Sequence, residues 1–142
     1  MRVLVAESRL DDAQNLAECL TALGLEVCVA TSREGAMTLL RSTIFSAAVV
    51  AVEFGLEERS LISRLSRLPS IQAVWATGPA GDWERETQAR RGGARGYFPR
   101  PVSVKSLAMA VCRSAWPPVC RGPPKRGGRA QPPLELERSS RQ

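Results

Sequence analysis

Residues 46–53 read Ser-Ala-Ala-Val-Val-Ala-Val-Glu. The run is apolar at every position from Ala47 to Val52, whereas a strand with one wet face would alternate apolar with polar. Such a segment has to be covered on both sides, as the central strands of parallel sheets are. In an open α/β sheet the carboxyl end of a central strand points at the crevice where ligands and chemistry sit. Here that end carries Ala51, a side chain without an oxygen.

The rest of the chain alternates around this strand. Val3-Leu4-Val5-Ala6 is a short apolar strand, and residues 9–23 place Leu10, Ala13, Leu16, Ala17, Leu20 and Leu23 at helical spacing, with Gly24 as the stop. Residues 25–30 form a second β-type run around Glu26. Thr31, three residues before Glu34, reads as a capping box opening a helix that carries Ala36, Met37, Leu39 and Leu40. After the central strand, residues 56–68 space Leu61, Ile62, Leu65 and Leu68 as a helix, which Pro69 ends. A fourth strand at 71–77, a helix at 82–91 stopped by Gly92-Gly93, a short strand at 96–98 and a helix at 103–115 complete the set.

Five βα units are too few to close an eight-stranded barrel, so the expected architecture is an α/β fold with a doubly wound, five-stranded parallel sheet in the order 2-1-3-4-5. No G-x-G-x-x-G follows the first strand, where Ala6-Glu7-Ser8-Arg9-Leu10 stands, and no G-x-x-x-x-G-K-[ST] occurs. Dinucleotide and nucleoside triphosphate binding are therefore disfavoured.

Composition narrows the function classes. A chain of 142 residues with 44% hydrophobic and 24% charged residues has the balance of a globular protein with one domain of ordinary size. Residues 1–115 are expected to hold that domain. No apolar run approaches the roughly 18 residues needed to span a bilayer. The N-terminus meets Glu7 after only four apolar residues, which does not make a signal-peptide core, so a cytoplasmic location is expected. The four cysteines, Cys19, Cys28, Cys112 and Cys120, are widely spaced and the chain has no histidine, which disfavours a zinc site.

The net charge of +6 is uneven, because residues 116–142 hold six Lys or Arg against two acids. That stretch is rich in Pro, Gly, Arg and Ser and has no apolar period, so it is expected to be a disordered basic tail. Such a tail attracts nucleic acid by counterion release, but a nucleic-acid role is disfavoured because nothing else in the chain points to one.

Over residues 1–114 the sequence resembles the receiver domain of two-component response regulators. The resemblance rests on five βα units with Glu7-Ser8 ending the first strand, Ala51 the third and Thr77 the fourth. Arg100-Pro101 follows the fifth, which carries Tyr97, and Gly93-Ala94 precedes it. It implies a flavodoxin-like (βα)5 fold. In that family the first strand ends in two acids that hold Mg²⁺, the third in the phosphorylated aspartate, and the fourth in a Thr or Ser; Lys-Pro follows the fifth. This chain keeps the order of the motifs and lacks the chemistry, which makes it a pseudo-receiver form.

The degenerate phosphoacceptor site is therefore Ala51, Glu7, Ser8, Thr77, Arg100 and Pro101. Glu7 keeps one carboxylate of the pair and Ser8 offers a neutral oxygen, a poor set for Mg²⁺, so neither a metal nor any other cofactor is expected. Removing carboxylates from one strand edge relieves a repulsion of a few kcal/mol per close pair at an effective dielectric of ~20. Glu53, beyond the strand end, is not expected to stand in for phosphate. Thr77 is read as a small strand residue with no phosphoryl group to follow. Arg100 is expected to make a structural ion pair, through its planar fork, with Glu7 or to hold an anion, and the resemblance allows a cis Arg100-Pro101 bond, as the Lys-Pro bond is in the family.

Asp11 and Asp12 suit the positive end of the first helix. Trp83, flanked by Asp82 and Glu84, and Tyr97 are the candidate partner-binding residues. Tyr97 lies on the face of the fourth helix, fifth strand and fifth helix that the family uses for dimers and partners, and Trp83 stands at the start of that fourth helix. The function expected is a non-enzymatic, phosphorylation-independent signalling module that contacts a histidine kinase or a downstream protein and dimerises through that face. The alternatives are a phosphoacceptor using an unexpected carboxylate and a nucleic-acid adaptor working through the basic tail.

Overall fold

A computed structural model describes residues 1–54 and 61–115. Its strands are β1 (Arg2–Ala6), β2 (Glu26–Ala30), β3 (Ala47–Ala51), β4 (Ala73–Gly78) and β5 (Gly96–Pro99), and its helices are α1 (Leu10–Ala22), α2 (Arg33–Ser42), α3 (Leu61–Ser66), α4 (Trp83–Arg91) and α5 (Val104–Ala115). All strand pairs are parallel, and the sheet order is β2-β1-β3-β4-β5. The expected flavodoxin-like architecture is the one observed.

The central strand is buried at all five positions, and its alternating side chains feed two cores. Val49 joins Val3, Val5, Leu16, Leu20, Leu107 and Val111 under α1 and α5. Val50 joins Leu4, Phe45, Leu61, Ile62 and Leu65 under α2, α3 and α4. Each fully buried Val or Leu stabilises the fold by roughly 1.5–3 kcal/mol before the entropy of ordering is charged against it. Both faces need that contribution, which is why the strand has no polar residue.

Several local expectations are corrected. Ser32, not Thr31, caps α2, its hydroxyl accepting the Gly35 N–H at 3.0 Å. β2 and β4 start one and two residues later than the sequence suggested, at Glu26 and Ala73, and β3 stops at Ala51, where a 3₁₀ turn, Val52–Phe54, begins. α3 ends at Ser66 rather than running on to Leu68. The earlier part of that expected helix lies outside the described residues, as do the expected tail at 116–142 and Cys120. In α1 the buried stripe is Ala13, Leu16 and Leu20, narrower than the apolar pattern, and Leu10 is 54% exposed. Gly93, at φ 119°, makes the turn into β5; a Cβ there would strike the Ser66 side chain. Among the described residues no helix is long and apolar enough to cross a membrane.

Candidate functional site

The carboxyl ends of four strands meet at one edge. β1 runs out into Glu7 and Ser8, β3 ends at Ala51, β4 brings Thr77 beside Ala51 in register, and β5 leads into Arg100 and Pro101. Ala51 has no exposed surface, Glu7 and Thr77 are buried, and Ser8 is exposed. The Arg100-Pro101 peptide is cis. The structure gathers Glu7, Ala51, Thr77 and Arg100 at this edge, while Ser8 lies exposed.

Arg100 is the centre of the polar contacts. Its Nη1 and Nη2 donate to the two carboxylate oxygens of Glu53, each at 2.7 Å, a two-pronged match of planar fork to carboxylate. Nη2 also lies 3.6 Å from Glu7 Oε1. The ion pair with Glu7 thus exists but is the longer of two, and Glu53 is the main partner. Glu53 does lie beyond the strand end, as expected, but it and not Glu7 is the main partner of Arg100. An extended strand would have carried it away from the edge at about 3.3 Å per residue, whereas the 3₁₀ turn at Val52–Phe54 rises only about 2.0 Å per residue. That bend starts on Val52, the last residue of the apolar run, with no turn residue before it to mark it.

The electrostatics follow the geometry. The Arg100 fork holds the Glu53 carboxyl below its ordinary range, with partial burial opposing it. In return Glu53, and to a lesser degree Glu7, hold the Arg100 guanidinium protonated beyond its ordinary range. Arg100 Nε is buried and meets no acceptor among the described residues. Glu7 accepts the Arg9 N–H at 3.1 Å through Oε2, while Thr77 Oγ1 stands 3.5 Å from Oε1, at the long limit of a hydrogen bond.

Tyr97 is half-buried, and its hydroxyl donates to the Pro79 carbonyl at 2.7 Å. Gly78 permits that seat, because a Cβ there would collide with the Tyr97 hydroxyl and come within 2.7 Å of Val52 Cγ2. Burial raises the phenol pKa, with the charge of Asp82 adding to it. Trp83, the first residue of α4, is 81% exposed. Asp82 caps that helix by accepting the Arg85 N–H at 3.0 Å, and Asp11 and Asp12 sit exposed in the first turn of α1.

These donors do not suit a hard divalent cation. Mg²⁺ takes carboxylates and water in near-octahedral geometry, and the edge offers one buried carboxylate, Glu7, already facing Arg100, with nothing from Ala51. Glu53 is occupied by the guanidinium on both oxygens. Among the described residues no group of three His, Cys, Asp or Glu is placed to hold a metal.

No family model matches the chain. It is 34% identical over 108 residues to a response regulator receiver protein of Anaeromyxobacter sp. (strain Fw109-5), a match covering 75% of this chain and 45% of that protein. The chain thus spans about half the length of that curated relative. Among solved structures, an orphan response regulator of H. pylori superposes with a TM-score of 0.71 at 24% identity, covering 82% of this chain and 97% of that one. An atypical orphan response regulator, described as having a phosphorylation-independent regulatory mechanism, superposes with a TM-score of 0.68 at 25% identity, covering 78% and 92%. The receiver domain of a Francisella response regulator gives 0.66 at 21% identity, covering 78% and 93%. By sequence and by fold, this chain is a homologue of the receiver domains of response regulators.

Proposed function

We propose that this chain is a receiver module that signals without being phosphorylated, through contact with a protein partner in a two-component or phosphorelay pathway. The observation that carries the reading is the bidentate Arg100–Glu53 pair. The cation at the phosphate-pairing position of the family already has a carboxylate in its fork, and the residue at the phosphoacceptor position, Ala51, has no nucleophilic oxygen. The atypical orphan regulator of similar fold is a precedent for such a mechanism.

The partner is a histidine kinase or a downstream signalling protein, and the contact surface is the face formed by α4, β5 and α5. Trp83 offers a large exposed ring there, and Tyr97 stands at the edge of the same face. A homodimer through this face is part of the same reading. The module performs no catalysis of its own, and neither metal nor nucleic acid is required.

The test is the response to a phosphoryl mimic. Adding beryllofluoride and Mg²⁺ to the ¹⁵N-labelled full chain should leave its amide spectrum unchanged. Saturable shifts at Ala51, Thr77 and Tyr97 would mean that the edge still accepts a phosphoryl group, and the phosphoacceptor alternative would replace this one.

A further inference from the structure

The sheet edge beside Glu7 is hollow. A cavity of about 230 Å³ lies between the start of α1 and the connection from β5 into α5. Val5 and Val49 of the sheet, Leu16 of α1 and Leu107 of α5 form apolar walls, while Glu7, Thr77 and Arg100 form a polar one. The other face of the sheet, under α2, α3 and α4, is where the bulky Phe45, Leu61, Ile62 and Leu65 pack.

Its size and charge select an occupant. An apolar cavity of about 150 Å³ takes a benzene ring, so this one has room for roughly nine non-hydrogen atoms. Glu7 is buried on its wall, and the contacts of its Oε1 are long, at 3.5 Å to Thr77 and 3.6 Å to Arg100. Arg100 cannot close on it, because both of its terminal nitrogens are held at 2.7 Å by Glu53. A carboxylate has about four acceptor sites, and a buried one with weak partners gains most from a charged donor. Asp12 and Arg9, of opposite charge, also line the cavity.

We propose that this cavity binds a compact apolar primary amine, its ammonium group meeting Glu7 and its body lying among Val5, Leu16, Val49 and Leu107. An anion of the same shape would face Glu7 across a short distance with the nearest guanidinium already engaged. The site does not depend on the module's being phosphorylation-independent, so failure of one reading leaves the other standing.

The experiment is an amide-shift titration of the full chain with three probes of one shape: 2-phenylethylamine, 2-phenylethanol and phenylacetate. The amine should give saturable shifts at Val5, Leu16, Val49 and Leu107 and bind at least about tenfold more tightly than the alcohol, and phenylacetate should give none. Glu7→Gln should weaken the amine by about tenfold or more while leaving the alcohol unaffected. Ala13→Met, which fills the cavity from a fully buried position on its wall, should abolish binding of both. No saturable shift with the amine, equal or tighter binding of phenylacetate, or indifference to Glu7→Gln would overturn the proposal. Should either variant fail to fold, the ranking of the three probes on the unaltered chain decides the matter.

Discussion

Val49 and Val50 lie in the middle of β3, each sealed under the helices of its own face. Ala51, the next residue, ends the strand at the edge where Thr77, Arg100 and Glu53 gather. In the interior every residue is what a two-sided parallel strand requires, because volume and apolarity are what packing selects. At the edge the receiver family requires particular atoms, two acids and a nucleophilic carboxylate, of which this chain keeps one acid, Glu7, and has Ser8 and Ala51 at the other two positions. The fold depends on the first requirement and not on the second. The packing of this scaffold thus tolerates an alanine at the end of β3, and the cation at the edge, Arg100, is paired with Glu53.

Restoring the lost carboxylates is the change with the largest expected effect. Ser8→Asp with Ala51→Asp should destabilise the metal-free domain by about 2–4 kcal/mol, since close carboxylates repel at an effective dielectric of ~20 and Ala51 is fully buried. Denaturant titration reads this directly. Mg²⁺ should recover part of the loss in the double variant, by binding only the folded state, and do nothing for the parent. A double variant as stable as the parent without metal would erase the distinction drawn between interior and edge.

Removing Arg100 should cost somewhat less. Arg100→Ala leaves Glu7 buried without a cation, a loss of about 2 kcal/mol, whereas Glu53, 40% exposed, is free to take up water. The pH dependence carries the sign of the Glu53 shift. Its pKa is lower folded than unfolded, so the contribution of the pair is fully present above the unfolded carboxylate range and disappears as pH falls through the folded value. Glu53→Gln should flatten that acid limb in an unfolding series, and added salt should shrink it, because one partner faces solvent.

Trp83→Ala should be nearly silent in stability, within about 1 kcal/mol, because the ring is 81% exposed. Its effect should appear in association instead, as a self-association constant weakened by about tenfold or more in sedimentation equilibrium. A loss of folding on removing Trp83 would place that ring in the core.

How much of this was written in the sequence differs between the same two regions. The five βα units and the two-sided burial of β3 follow from apolar periodicity, a strong local signal, and the strand order from the topology rules for open parallel sheets. Glu7, Ala51, Thr77 and Arg100 were assigned to one edge by the resemblance to the receiver family, whose motifs stand at the strand ends. The partner of Arg100 was not legible, because it depends on a 3₁₀ turn at Val52–Phe54 that starts on the last residue of the apolar run. The cap at Ser32 was missed for a related reason: Thr31 and Ser32 are adjacent hydroxyl residues, and only the backbone direction at the helix entry decides between them. The cavity depends on how α1 and α5 space themselves, which no residue pattern encodes.

The central claim is that this edge no longer takes a phosphoryl group, and incubation of the unmodified full chain with labelled acetyl phosphate and Mg²⁺ tests it most directly. The expected result is no incorporation, since Ala51 has no nucleophilic oxygen, Glu53 is held in the Arg100 fork and Glu7 alone makes a weak hard-cation site. Stoichiometric incorporation that hydroxylamine releases would reveal an acyl phosphate on a carboxylate of this chain, and would contradict the account.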